Sequence, residues 1–152
     1  MKNAINSFKN AVIGIYSALR SERNLRFHFS IANLIVIFAY FFGISKCEWA
    51  VLVLSIAGVI TSELINTGIE NAVDTATDQY SETAKLAKDA SAGAVLVFAA
   101  FSVIIGFILF FDIGRIFKTL EYIFKNPIIL VPCLLIGILD VLFIFFGGKK
   151  KW

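Results

Sequence analysis

Proline, cysteine, histidine and charge are all scarce in this chain of 152 residues. Two prolines suit lipid-facing helices with few breaks. The two cysteines, Cys47 and Cys133, border or lie within apolar segments, and at that spacing they imply neither a disulfide framework nor a zinc site. His28 is the single histidine, which excludes a histidine-based metal site within one chain and leaves it as an interfacial packing residue. Charged residues make up 16% of the chain, against about 25% in soluble globular proteins. No basic stripe with interleaved aromatics occurs, so no nucleic-acid partner is expected. The patterns G-x-x-x-x-G-K-[ST], G-x-S-x-G and H-E-x-x-H are missing, and Gly147-Gly148-Lys149 resembles only the end of the first. Met1 to Arg26 has neither an apolar core nor a small-residue cleavage site, so it is not expected to be a signal peptide.

What fills the chain instead is apolar. Hydrophobic residues reach 59%, mean hydropathy is +0.83, and there are 16 phenylalanines. The expected fold class is an all-α, polytopic integral membrane protein. Residues 3–20 place Ile5, Phe8, Val12, Ile15, Tyr16 and Leu19 at helical spacing, which predicts an amphipathic helix lying on the membrane surface. A charged cluster, SERNLRFH, precedes a first span over about 29–45, close to the lower length limit for crossing a bilayer. Lys46-Cys47-Glu48 reads as a short turn. Trp49 then opens a second span over about 49–69, at an interface that suits tryptophan.

Residues 71–91 form the only long polar segment. They read as the second span projecting into water, a turn near Gln79–Ser81, and a new helix starting around Glu82 with Ser81 as a cap. A third span follows over about 92–111. Residues 112–126 are amphipathic and predict a second surface helix, and about 128–146 predict a fourth span interrupted by Pro132, Gly137 and Asp140. With the N-terminus in the cytoplasm, cytoplasmic segments hold ten Lys and Arg and outer segments four, which favours both termini inside. Lys149, Lys150 and Lys151 then read as a topology anchor that attracts anionic lipid.

Glu63, Asn66, Glu70 and Asp74 are the most informative residues. At about 100° per residue they fall within an arc of roughly 80° on one helix face. Glu63 and Glu70 lie where hydrocarbon is expected, and intramembrane carboxylates are read as functional by default. Glu70 and Asp74, one turn apart, are close enough to crowd a shared cation, with Lys88 or a bound Mg²⁺ as counter-charge. Glu63, deeper and partly desolvated, suits a base that takes a proton from a hydroxyl at the interface. A polar helix interface built only for packing would use similar residues, but four on one face followed by Lys88-Asp89 favour a divalent cation and a phosphate.

The runs SERNLRFH, ELINTGIENAVD and AKLAKDASAGAVL resemble the prokaryotic diacylglycerol kinase family, small trimeric membrane kinases unrelated to soluble kinases. The likeness spans roughly residues 7–111. In its R-N-x-x-F-H and N-T-x-I-E details it is more similar to the Gram-positive undecaprenol kinase branch. The resemblance implies a lipid kinase domain over 1–111 in the bacterial cell membrane, with its active site on the cytoplasmic side. Residues 112–152 form an extension with no counterpart in short family members. It also implies roles. Glu63 matches the general base, and Glu22 and Glu70 match the carboxylates that hold Mg²⁺ on the ATP phosphates. Lys88 and Asp89 match nucleotide contacts, as do Gln79, Tyr80 and Ser81 in the loop. Asn66 and Asp74 match polar residues needed around the site, and Asn10 and Gly14 fall on the helix that closes it. Gly68 stands where alanine is common.

The expected activity is transfer of the γ-phosphoryl of MgATP to the hydroxyl of undecaprenol by a homotrimer. The same chemistry on diacylglycerol uses the same residues. A small proton-coupled transporter using Glu63 and Glu70 is the rival of another class, and it leaves Asp74, Lys88 and Asp89 unexplained. A structural scaffold is a third alternative.

Overall fold

The computed structural model describes residues 2–76 and 79–148, with side chains from residue 4 onward. Lys149, Lys150 and Lys151 therefore lie outside the described residues, as does the side chain of Lys2. Six helices follow one another: α1 (Lys2–Ser21), α2 (Arg23–Phe42), α3 (Lys46–Ala76), α4 (Glu82–Phe110), α5 (Ile113–Lys125) and α6 (Pro127–Phe146). Among the described residues there is no strand. Helices α2, α3, α4 and α6 are long and apolar enough to cross a membrane. Their large apolar side chains are exposed along much of their length, Leu54, Ile108 and Ile128 among them, as a lipid-facing surface requires.

Local chemistry explains most boundaries. Helix α2 ends at Gly43, whose φ of +73° lies in the left-handed region that favours glycine, and the Gly43 N–H donates to the Ala39 carbonyl at 3.0 Å. Ser45 and Glu48 form a reciprocal capping box at the start of α3: Glu48 N–H donates to Ser45 Oγ at 3.3 Å, and Ser45 N–H to Glu48 Oε2 at 2.6 Å. Lys46-Cys47-Glu48 is thus the first turn of α3, not a separate turn. Ser81 Oγ accepts from Ala84 N–H at the start of α4, and Asp112 from Arg115 N–H at 2.9 Å at the start of α5. Pro127 occupies the first turn of α6, where its missing N–H costs nothing. The charged cluster expected to precede the first span is largely helical, and α2 begins at Arg23. Only Glu22 stays extended, at the break between α1 and α2.

Helices α3 and α4 form a long antiparallel hairpin, the most extensive packing in the molecule. A Cβ on Gly58 of α3 would stand 2.7 Å from the Phe98 ring of α4, so this close approach depends on glycine. At the end of α2 distant from α1, Ala39, Phe42, Ile44 and Leu52 form a buried cluster against Phe38, Phe110 and Ile116. The Phe110 ring lies 5.4 Å from Phe38 and 5.2 Å from Phe42. Arg115 of α5 closes this end. Its guanidinium sits 4.3 Å from the Phe42 ring centroid and donates to the Gly43 carbonyl.

Helix α6 then runs back along α2. Asn33 Nδ2 donates to Asp140 Oδ2 at 3.0 Å, and Ser30 Oγ to the Asp140 carbonyl at 3.5 Å. Asp140 therefore has its partner within its own chain. At the opposite end Arg26, only 5% exposed, donates to the carbonyls of Leu19 at 2.9 Å and Arg20 at 3.2 Å, and to Ile144 at 3.3 Å. One cation thus serves the C-terminal ends of both α1 and α6, where the helix dipole favours it.

Candidate active site

The acidic stripe lies on α3, and three other helices converge on it at one end of the bundle. Glu63 is 4% exposed. Its Oε1 is 3.2 Å from Nε2 of His28 on α2. Glu22, at the break before α2, and Glu70, two turns further along α3, both lie close enough to act on Glu63 electrostatically. The charges of two further carboxylates thus reach Glu63, near where α1 meets α2 and α3. This follows from the sequence only in part: the spacing places Glu63 and Glu70 on one face, while Glu22 is placed by the break between α1 and α2.

On the α4 side the stripe is held by hydrogen bonds. Asn66 Nδ2 donates to Glu70 Oε1 at 3.0 Å, and Ser91 Oγ of α4 lies 2.6 Å from Asn66 Oδ1. The Ser91 hydroxyl also lies 2.9 Å from the Lys88 carbonyl, so its single hydrogen serves two acceptors. One turn beyond, Lys88 Nζ and Asp74 Oδ1 pair at 2.6 Å across the hairpin, with both groups open to solvent. Lys88 also lies within electrostatic reach of Glu70. The stripe therefore runs from a desolvated carboxylate at Glu63 to a solvated ion pair at Asp74.

On the α1 side, Gly14, Ala18 and Ser21 face Thr67, Gly68 and Asn71 across a cavity of about 440 Å³. Thr67 is buried, and its hydroxyl has no hydrogen-bond partner among the described residues. On the membrane side a groove of about 370 Å³ descends from Phe27 and His28 past Ile31, Val59 and Ala99. Its floor includes Ser55, whose Oγ is 2.8 Å from Ser102 Oγ. A cavity of mixed lining on the α1 side and an apolar groove on the membrane side thus flank α3.

The remaining sequence-predicted residues are less gathered. Asp89 and Gln79 are exposed, and Tyr80 is 80% exposed. Ser81 is occupied as a helix cap and pairs with Thr83 Oγ1 at 2.8 Å. Asn10 is exposed on α1. Sequence reasoning passed over His28 as a packing residue, whereas its ring meets Glu63. It also passed over Ser91, although Ser91 follows Lys88-Asp89 within the quoted run. The only signal for either was its place inside a recognisable motif.

Among the described residues no three His, Cys, Asp or Glu side chains converge as a self-sufficient metal cage. Mg²⁺ characteristically takes one or two carboxylates and completes its shell with water and substrate phosphates. Glu22 and Glu70, whose charges both reach Glu63, are hard oxygen donors of the kind such an ion takes.

Residues 9–110 match the family described as prokaryotic diacylglycerol kinase. The chain is 45% identical over 104 residues to an undecaprenol kinase from Bacillus subtilis, covering 68% of this chain and 85% of that protein. It is 38% identical over 105 residues to a diacylglycerol kinase from Synechocystis, covering 68% of this chain and 60% of the relative. A diacylglycerol kinase from Haemophilus influenzae is 30% identical over 112 residues, covering 73% of this chain and 95% of that protein. No solved structure matches significantly.

Proposed function

The chain belongs to the prokaryotic diacylglycerol kinase family, and from that premise we propose that it is an undecaprenol kinase, transferring the γ-phosphoryl group of ATP to the terminal hydroxyl of the polyprenol. The observation that carries the lipid-kinase chemistry is the stripe itself: a buried carboxylate, Glu63, at one end and a solvated Asp74–Lys88 pair at the other, on one face of a membrane helix. Such a gradient lets an alcohol dissolved in lipid meet a nucleotide dissolved in water. The acceptor is argued from likeness, which is greater to the Bacillus undecaprenol kinase than to the Synechocystis or Haemophilus diacylglycerol kinase.

In this reading Glu63 takes the proton as the alcohol oxygen forms its bond to the γ-phosphorus and the bond to the β-phosphate oxygen breaks, releasing ADP. Glu22 and Glu70 would hold Mg²⁺, which when bound neutralises phosphate charge. Asn66, fixed by Ser91, orients Glu70. Lys88 exchanges Asp74 for a phosphate oxygen, and Asp89, Gln79, Tyr80 and Ser81 border the nucleotide. Positioning and electrostatics supply most of the acceleration, as is general for phosphoryl transfer. The Lys and Arg distribution supports placing this end of the bundle in the cytoplasm of a bacterial cell, where ATP is. A homotrimer is proposed as the working assembly, and a groove between α3 and α4 lined by Ala57, Gly58, Ala90 and Ala94 offers the small-residue surface that close helix packing in lipid needs. Residues 1–111 are proposed as the kinase domain and 112–152 as an added brace on α2.

The test is a direct competition. Purified protein in mixed micelles receives γ-labelled ATP with undecaprenol and diacylglycerol in parallel. The expected result is a higher kcat/KM for undecaprenol. A preference of about tenfold for diacylglycerol, roughly 1.4 kcal/mol in the barrier, overturns the choice of acceptor and leaves the kinase intact.

A further inference from the structure

His28 is the only histidine in the chain, and its Nε2 lies 3.2 Å from Glu63 Oε1. Its position is unusual in three respects. It stands on α2, so its reach to Glu63 crosses a helix–helix interface. It lines the apolar groove on the membrane side, so it is the point where that groove meets the carboxylate. Its ring meets that of the neighbouring Phe27 edge-on, with centroids 5.7 Å apart.

A carboxylate that acts as a base must present one oxygen to the incoming hydroxyl. Glu63 hangs on three rotatable bonds, and an unheld side chain of that length samples several rotamers. Contact of Oε1 with His28 Nε2 at 3.2 Å limits that freedom and leaves Oε2 for the acceptor. Neighbours that orient a metal ligand are worth about 10–100-fold in activity, and a misplacement of about 1 Å in a reacting group costs about a hundredfold.

We infer that His28 is the positioning residue for Glu63, holding one carboxylate oxygen so that the other faces an alcohol arriving along the Phe27–His28 groove. The inference rests on the kinase reading. It assigns His28 no bond to phosphate or nucleotide, so its effect belongs in the turnover of bound substrate and not in nucleotide affinity.

Three variants test this: His28→Leu, which removes the polar contact, His28→Gln, which keeps a polar group at similar reach, and Glu63→Gln. Each is compared with the wild type for thermal unfolding and for lipid phosphorylation with ATP and acceptor varied separately. His28→Leu is expected to lower kcat about 10–100-fold with the KM for ATP changed less than about threefold, and His28→Gln to recover most of the loss. In the Glu63→Gln background, His28→Leu is expected to add no further loss, since the two act as one unit.

Wild-type kcat in His28→Leu overturns the inference. So does an undiminished loss in the Glu63→Gln background, or a loss confined to the KM for ATP. Should His28→Leu unfold, the comparison of His28→Gln with His28→Asn decides: the longer amide is expected to be the more active, and a shorter amide that works as well shows that reach to Glu63 is irrelevant. A wild type that phosphorylates neither lipid sinks the kinase reading first, a result separable from an active wild type indifferent to His28.

Discussion

Replacing Ser91 by alanine removes one hydroxyl from the α3–α4 interface and nothing else. Ser91 is buried, and its Oγ lies 2.6 Å from Asn66 Oδ1, while Asn66 Nδ2 lies 3.0 Å from Glu70 Oε1. Without the hydroxyl, the Asn66 carbonyl oxygen loses its donor in a half-buried setting. An unmade hydrogen bond of this kind costs about 1–3 kcal/mol, and partial exposure of Asn66 places the value near the lower end. Each 1.36 kcal/mol is a factor of ten in rate or population, so the amide held toward Glu70 becomes about tenfold less populated. Glu70 is a proposed holder of Mg²⁺ on the nucleotide, so the deficit belongs to MgATP. The assay is initial-rate lipid phosphorylation in micelles at varied MgATP and saturating acceptor. Ser91→Ala is expected to lower kcat/KM for MgATP about 5–20-fold, with the KM for the lipid changed less than about threefold. A kcat/KM within about twofold of wild type refutes the proposed Ser91–Asn66–Glu70 chain. An effect confined to the lipid KM refutes the assignment of this side of the stripe to the nucleotide.

Glu70→Gln keeps the hydrogen-bond partner of Asn66 but removes a charge. It is expected to raise the Mg²⁺ concentration for half-maximal activity at least about tenfold, read from a magnesium titration at fixed ATP. Asp140→Leu strands Asn33 within the membrane and is expected to lower thermal stability in detergent by about 1–2 kcal/mol. Replacing Asn33 by leucine as well is expected to restore most of it, because removing both partners is far less costly than removing one. Arg115→Ala abolishes the stacking on Phe42 and the bond to the Gly43 carbonyl. It is expected to lower the unfolding temperature while leaving the KM for ATP unchanged, since α5 lies at the far end of the bundle from Glu63.

The helices were legible because lipid imposes long apolar runs and water imposes breaks. Their boundaries were less so. Ser45-x-x-Glu48 is a local capping signal that reads as a turn until both of its hydrogen bonds are seen. Arg23 and Arg26 resemble a loop by composition, yet the helix runs through them because Arg26 turns inward to the carbonyls of α1 and α6. The acidic stripe was legible because it lies on one helix, where a single period sets every direction. His28 and Ser91 depend on contacts between helices, 25 residues apart in the case of Ser91 and Asn66, and no periodicity within one segment reports them. The same holds for Asp140, whose partner Asn33 is 107 residues away.

The most direct measurement follows label from γ-labelled ATP into a lipid-soluble product, with wild type and Glu63→Gln purified side by side and matched for thermal unfolding. Transfer by the wild type and a fall of at least about a hundredfold in Glu63→Gln, the range expected for losing a general base, are predicted. Equal transfer by the two proteins would contradict the role of Glu63, and no lipid-borne label from the wild type would contradict the kinase itself.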